Sequence, residues 1–213
     1  DPYWGGVNAV VESMRNVASV GATPHALSDC LCFGNPEKPH QMWEFVESVR
    51  GVADACHAIT LKDNPDHATP IIAGNVSFYN ESKNGPIPPS PIVSCLGRFK
   101  NVNKAVPAHF QNNDSVILLI GERKNELGGS VYYSLKNELG ANVPKPNFEE
   151  VKNQIFALTD CIDDGLVLSC HDISDGGIAS ALAEMTFRNN IGCNVNIESD
   201  LSPDKILFSE TGG

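Results

Sequence analysis

An apolar run, Pro70 to Ala73, passes without interruption into Gly74-Asn75-Val76-Ser77-Phe78-Tyr79-Asn80-Glu81. The run predicts a short apolar strand, and a glycine at its end marks a place where a ligand can approach the backbone closely. The side-chain oxygens of Asn75, Ser77 and Glu81 that follow suit Mg²⁺ and phosphate. A second segment has the same build. Pro24 to Phe33 reads as a short buried strand carrying Asp29, and it turns at Gly34-Asn35-Pro36 into Glu37. Two strand ends of this kind predict one polar rim on a mixed α/β fold.

The rest of the chain alternates in the same grammar. Val7, Val10, Met14 and Val17 recur at helical spacing and predict a helix over about Tyr3 to Val20, stopped by Gly21 and Pro24. Pro39 opens a second helix on Met42, Phe45, Val49, Val52 and Cys56 that ends near Ala58. Thr60 to Thr69 reads as an exposed loop, Lys83-Asn84-Gly85-Pro86 as a turn, and Pro91 to Phe99 as a strand returning to pair. Periodicity fades between Asn101 and Asp114, which divides the chain into an expected first domain, 1–112, and a second, 113–213. In the second, strands are expected at Ser115–Gly121, Leu166–Cys170, Cys193–Glu198 and Ile206–Ser209. Helices are expected through Tyr132 to Leu139, on Phe148, Val151, Ile155, Leu158 and Ile162, and from Gly176 through Met185; Asp172 and Asp175 are expected to cap the last, with metal coordination the alternative.

Charge and cysteine usage narrow the partners. With 213 residues, 41% of them hydrophobic, the chain can bury a substantial core. Its formal charge of -11 repels a nucleic-acid backbone, and no basic cluster interleaved with aromatics offsets it, so nucleic acid is not an expected partner. Acidic excess leaves room for a nucleotide, because backbone N–H groups and bound Mg²⁺ can supply positive potential. The 7 cysteines are odd in number and scattered through apolar segments, the pattern of reduced packing residues in a cytoplasmic protein. Cys30-Leu31-Cys32 is a close pair without a second Cys or His pair to complete a zinc site. Apolar runs fall short of the ~18 residues a membrane helix needs, and no leader is recognisable at Asp1. The absence of an initiator Met and the stop at Gly213, just after a strand-like run, lead us to expect a piece of a longer protein.

No Gly-Lys-Ser/Thr loop and no dinucleotide-type glycine pattern occurs. A nucleotide is instead expected to be held through Mg²⁺ bridging Asp29 and Asn75, with Gly74 giving close approach and Ser77 donating to a substrate phosphate or hydroxyl. On the residues alone a second reading stays open, in which Asp29 caps the following turn and Asn75 satisfies local backbone.

The segments RNVASVGATP (15–24), SDCLCFGNPEKP (28–39), MWEF (42–45), VRGVADAC (49–56) and GNVSFYNES (74–82) resemble the second half of the formylglycinamide ribonucleotide amidotransferases, the phosphoribosylformylglycinamidine synthases of purine biosynthesis. Gly128-Gly129-Ser130-Val131-Tyr132, His171 to Gly177 and Leu207-Phe208-Ser209-Glu210 fit the later part of that half in the same order. The resemblance implies an aminoimidazole-ribonucleotide-synthetase-like N-terminal domain, lacking its first strands, joined to the matching C-terminal α/β domain. It implies a carbon–nitrogen ligase that uses ATP, Mg²⁺ and glutamine-derived ammonia to turn formylglycinamide ribonucleotide into the amidine. It also implies two partners, the first half of the same synthetase and a glutaminase subunit or domain. Within the family pattern Asp29 and Gly74 contact ATP, Asn75 binds Mg²⁺ and Ser77 touches the ribonucleotide; no catalytic residue is assigned, because the family's His-Asn-His-Pro motif lies in the other half. His171, after a buried strand, is expected to be an orienting or packed residue. Ser209-Glu210-Thr211 stands where the first half carries a substrate-contacting triplet, and the role is not carried over. The loop between Ala58 and Pro70 is longer than the family's.

The chain alone is expected to be inactive. Two other functions remain open on sequence. One is a structural half that completes the sheet and docks the glutaminase through faces such as Met42 and Phe45. The other is a related ATP-dependent enzyme of the same fold, such as aminoimidazole ribonucleotide synthetase. The runs Cys32–Pro39 and Gly74–Glu81 resemble the amidotransferase rather than these relatives.

Overall fold

Val7, Val10, Val11 and Met14 stack on one side of the first helix, α1 (Pro2–Ser19), and are wholly buried. Asp1 caps its start by accepting from the Trp4 amide, and Pro2 occupies the first turn, where its missing N–H costs nothing. The structure, a computed structural model, describes residues Asp1–Gly213. α2 (Pro39–Ala58) lies against α1 at unusually close range. A Cβ at Gly6 would stand 2.2 Å from the Ser48 carbonyl oxygen, and one at Gly51 would stand 2.0 Å from that of Tyr3. Two glycines facing opposite backbones bring the helices together.

Beneath the helices lies a three-stranded sheet. Its centre is β1 (Thr23–Cys32). Two small hairpins interrupt the path to and from the next long strand: β2 (Thr60–Leu61) with β3 (Asn64–Ala68), and β5 (Glu81–Ser82) with β6 (Gly85–Pro86). Between them β4 (Ile71–Ser77) pairs with β1 in parallel, so that α2 serves as the crossover. β7 (Ser90–Arg98) pairs with β1 antiparallel on its other side, giving the order β4-β1-β7 and leaving β4 at an edge.

The later residues add α3 (Val131–Ser134), α4 (Phe148–Asp163), α5 (Gly177–Met185) and α6 (Pro203–Phe208). α4 is capped by Asn147, which accepts from the Glu149 and Glu150 amides at 3.0 and 3.1 Å. Val151 and Ile155 of α4 join the same core as Val7, Val11, Met14, Leu27, Val52 and Ile59. The main apolar core therefore draws on both sides of residue 112. Lys62 reinforces the junction, reaching Asp160 at 2.6 Å and the Thr159 hydroxyl at 2.9 Å. No helix is long and apolar enough to cross a membrane.

The β1 and β4 strands and the expected helices lie where the sequence places them, except that the helix expected through Leu139 stops at Ser134, and four further expectations are corrected. Pro91–Phe99 does return as a strand, but its partner is β1 and not the segment it follows. The 60–69 loop contains the β2–β3 hairpin. Residues 206–208 close a helix, because Pro203 at its first turn and Asp204 beside the free N–H groups start one there. The runs 115–121, 166–170 and 193–198 form no ladder; Val116 is 83% and Leu166 73% exposed. Residues 117–119 and 191–198 instead border an open cavity of about 1040 Å³. An apolar run records burial preference, whereas a ladder needs a partner in register, and nothing local supplies one.

The glycine contact between the two helices gives a direct check. Gly51→Ala must push α2 off the Tyr3 backbone and is expected to destabilise the chain by about 1–3 kcal/mol in chemical denaturation. The same change at Gly5, which has open space around it, should be nearly silent.

Candidate functional site

The parallel pairing of β1 with β4 decides the geometry of the predicted site. Its register sets Asp29 beside Gly74, Cys30 beside Asn75 and Cys32 beside Ser77. The Asp29 carboxylate leans over the glycine: a Cβ at Gly74 would stand 1.9 Å from Asp29 Oδ1. Any side chain there would expel the carboxylate from its place, so Gly74 is the gap through which the edge of the sheet opens onto Asp29. Burial alone raises the Asp29 pKa; no hydrogen bond or countercharge offsets it. Its charge also reaches α2, where the Cys56 thiol is pushed up to about 11, mainly by burial and secondarily by Asp29.

Successive strand residues point to opposite faces. Asp29 shares its face with buried Leu27 and Leu31, toward the helices, while Asn75 and Ser77 lie with Cys30 and Cys32 on the other. This corrects the expectation of one Mg²⁺ bridging Asp29 and Asn75: the register directs the two side chains away from each other. The two polar segments do form one rim, as expected, but through their loops. Phe33 donates to the Ser77 carbonyl at 2.9 Å, Tyr79 to that of Gly34 at 2.9 Å and Asn80 to that of Phe33 at 3.2 Å. Lys38 pairs with Glu81 at 2.7 Å across the same seam. Phe45 of α2 sits edge-on to Phe33 and Phe78, 5.3 and 4.9 Å between ring centres, and props both loops from below. Phe45 is thus an internal support rather than part of a docking face.

Asn80 is the residue that the sequence reading missed. Its amide donates to the carbonyls of Ser77 and Phe33, at 2.8 and 3.0 Å, and it lies within hydrogen-bond reach of the Ser77 hydroxyl. It positions Ser77. The available signal was an Asn three residues beyond a strand-end Ser, the spacing at which such side chains satisfy local backbone.

The later residues behave differently. Glu210 accepts from the Val131 and Gly176 amides at 2.8 and 2.9 Å, so its carboxylate holds the starts of α3 and α5. No side chain of Asp172 or Asp175 caps α5, against expectation; the distant Glu210 instead accepts from the amide of Gly176, the residue just before its first turn. Thr211 donates to Glu126 at 2.7 Å, and Arg123 donates to the Ser209 and Thr211 carbonyls. The Ser209-Glu210-Thr211 segment is fully engaged in structure. His171 is held between the Asp172 carbonyl, 2.7 Å, and Glu184, 2.9 Å, as an oriented residue. A smaller cleft of about 330 Å³ between α1 and this unit is lined by Glu12, Asp172, Asp175 and Glu210 with Arg15. Burial and then the neighbouring aspartates raise the Glu12 pKa there.

Comparison with known proteins gives these strand ends a context. Residues 1–99 match the family described as AIR synthase related protein, N-terminal domain, and residues 112–213 match AIR synthase related protein, C-terminal domain. The chain belongs to the AIR synthase related family. Within it the chain is 46% identical over 215 aligned residues to the phosphoribosylformylglycinamidine synthase subunit PurL of Methanothrix thermoacetophila, and 41% over 212 to that of Moorella thermoacetica. The alignments cover 100% and 99% of this chain but 28% of each relative, so it corresponds to a segment of those subunits. Among solved structures, PurL of Thermotoga maritima complexed with FGAR superposes with a TM-score of 0.70 at 18% identity, over 99% of this chain and 34% of that one. The same protein complexed with ADP gives 0.63 at 19%, over 100% and 32%. These superpositions support the AIR synthase related fold, and the curated relatives support the phosphoribosylformylglycinamidine synthase resemblance.

The partly buried charge on Asp29 predicts a pH signature. Its folded pKa lies above the ordinary value near 3.9, so the ionised form is penalised in the fold: the penalty is absent below about pH 4 and complete above the raised pKa. Asp29→Asn is therefore expected to raise the melting temperature at neutral pH. The gain should shrink toward zero as pH falls through that window in a series of thermal melts.

Proposed function

We propose that this chain is part of an ATP-dependent carbon–nitrogen ligase of de novo purine biosynthesis. The complete enzyme converts formylglycinamide ribonucleotide, ATP and glutamine-derived ammonia into formylglycinamidine ribonucleotide, ADP and phosphate in the cytoplasm. The observation that carries the reading is alignment of the whole chain, at 46% identity, with a PurL subunit; the four proposed site residues fall on one strand pair. In this reading residues 1–112 form the synthetase-like N-terminal domain and 113–213 the C-terminal one. The first half of the synthetase and a glutaminase complete the enzyme. The Thermotoga maritima PurL structures, complexed with FGAR and with ADP, are consistent with such substrates.

The chain's residues suggest how the work is divided. ATP approaches the exposed β4 edge, where Gly74 lets it reach the backbone and the Asp29 carboxylate on the helix side. Asn75, exposed on the opposite face, offers a carboxamide oxygen. No cluster of three or more His, Cys, Asp or Glu side chains accompanies it. That donor set fits Mg²⁺ held chiefly by phosphates and water with one protein oxygen, the usual manner for nucleotide-bound Mg²⁺. When bound, Mg²⁺ offsets charge on the transferring phosphoryl group. Ser77, oriented by Asn80, donates to the ribonucleotide. The amide oxygen of the substrate takes the γ-phosphoryl group of ATP, and ammonia then displaces phosphate from the imino carbon. Asp29 and Asn75 thus serve one nucleotide from two sides of a strand edge.

One observation favours a second role alongside catalysis. Met42, Trp43 and Val46 on α2 are 39, 49 and 47% exposed, an apolar strip suited to docking a partner subunit.

In the complete enzyme, Asn75→Ala is expected to lower turnover by about tenfold to a hundredfold and to raise the Mg²⁺ concentration needed for half-maximal rate. Unchanged turnover would remove the assignment. The purified chain alone is expected to form no amidine in a product assay, because the His-Asn-His-Pro motif of the family is not in it.

A further inference from the structure

Cys30 and Cys32 share the outward face of β1 with their sulfur atoms 3.6 Å apart. Both are half-buried, and both are free thiols. On that face their side neighbours in β4 are Asn75 and Ser77, and in β7 Ile92 and Ser90. The remaining thiols are placed differently. Burial pushes Cys56, Cys95 and Cys170 up to about 11, Cys161 is half-buried and Cys193 exposed, and none of these five has a second sulfur in contact, whereas the Cys32 thiol is raised mainly by its hydrogen bond with Cys30. One pair in the molecule is therefore arranged for two-sulfur chemistry, and it borders the proposed metal and substrate positions.

We propose that Cys30 and Cys32 form a modification site, a dithiol that a small disulfide such as glutathione disulfide closes into an internal bond, with loss of Mg·ATP binding at the adjoining strand edge. The chemistry balances. One cysteine thiolate attacks the small disulfide, whose S–S bond breaks to release one small thiol and leave a mixed disulfide. The second cysteine then attacks the protein sulfur of that mixed disulfide and expels the other small thiol. The protein pair loses two electrons, the oxidant gains them, and the two thiol protons end on the two released molecules.

Strand geometry supplies the coupling. Residues two apart in a strand are separated by about 6.6–6.8 Å. Disulfides usually span 4.4–6.8 Å between Cα atoms, with a mode near 5.5–6 Å. Closing the bond therefore contracts β1 at the residues paired with Asn75 and Ser77. It shifts their register without touching Gly74 or Asp29 directly, and a bond formed at such a cost is readily reduced again. The effect on Mg·ATP rests on the nucleotide reading above, whereas the closure itself does not.

The test uses the complete synthetase, equilibrated with glutathione disulfide, quenched in acid, alkylated after unfolding and analysed by peptide mass. The peptide carrying Cys30 and Cys32 is expected to lack alkylation at both and to have lost two hydrogens, with Cys56, Cys95 and Cys170 fully alkylated. Mg·ATP affinity should fall by about tenfold or more, recover with dithiothreitol, and be insensitive to the oxidant in Cys32→Ser. Both cysteines remaining alkylatable, or each carrying its own glutathione, would overturn the site. An internal bond with unchanged Mg·ATP affinity would overturn the coupling. Closure is read by mass alone, so failure of the nucleotide reading, seen as normal Mg·ATP binding by Asn75→Ala, is distinguishable from failure of the dithiol.

Discussion

The pairing of β1 with β4, which stands the Asp29 carboxylate in the space that a side chain at residue 74 would fill, is the constraint on which the rest depends. A parallel pair needs a crossover, and α2 supplies it. Packing α2 onto α1 through Gly6 and Gly51 then seals the helix side of the sheet, so that Asp29 is drawn partly out of water. The same crossover delivers Phe45 beneath Phe33 and Phe78, fixing the two loops that continue the paired strands. Core and rim are thus set by one arrangement of one helix and two strands.

The proposed function draws on where that pair sits in the sheet. β4 is an edge strand, exposed along nearly its whole length, and its one residue without a side chain faces a carboxylate whose charge the fold penalises. Such a site is expensive for the fold and accessible to a ligand, a combination typical of residues kept for chemistry rather than stability. Alternation along β4 then hands the next two polar groups to the opposite face, where Asn80 orients Ser77 and the two cysteines lie alongside. The later unit shows the reverse economy: Glu210 accepts from amides at the starts of two helices, Thr211 donates to Glu126 and Arg123 to the Ser209 and Thr211 carbonyls, which ties that segment into the structure.

Much of this was legible in the sequence. α1, α2 and α4 followed from apolar residues at helical spacing with Pro or Asn at their starts, and Gly74 announced itself as a glycine ending an apolar strand. The four proposed site residues came from the resemblance, since spacing alone left a capping role open. What could not be read was the relation between them. Whether Asp29 and Asn75 share a face depends on the parity of the register between two strands far apart in sequence, and composition carries no trace of it. The partner of β7 was hidden for the same reason, as were the ladders that 115–121, 166–170 and 193–198 do not form. Glu210 at the start of α5 was invisible because Asp172 and Asp175 are nearer in sequence and a cap was sought locally.

The most direct test of the account is a double-mutant cycle between residues 29 and 74, read as unfolding free energy. If the carboxylate occupies the space beside Gly74, Gly74→Ala costs about 1 kcal/mol or more with Asp29 present and much less once Asp29→Ala has cleared the space, a coupling of the size expected for residues in contact. Equal costs in both backgrounds would mean that the two residues do not meet, and the β1–β4 register with the site built on it would be wrong.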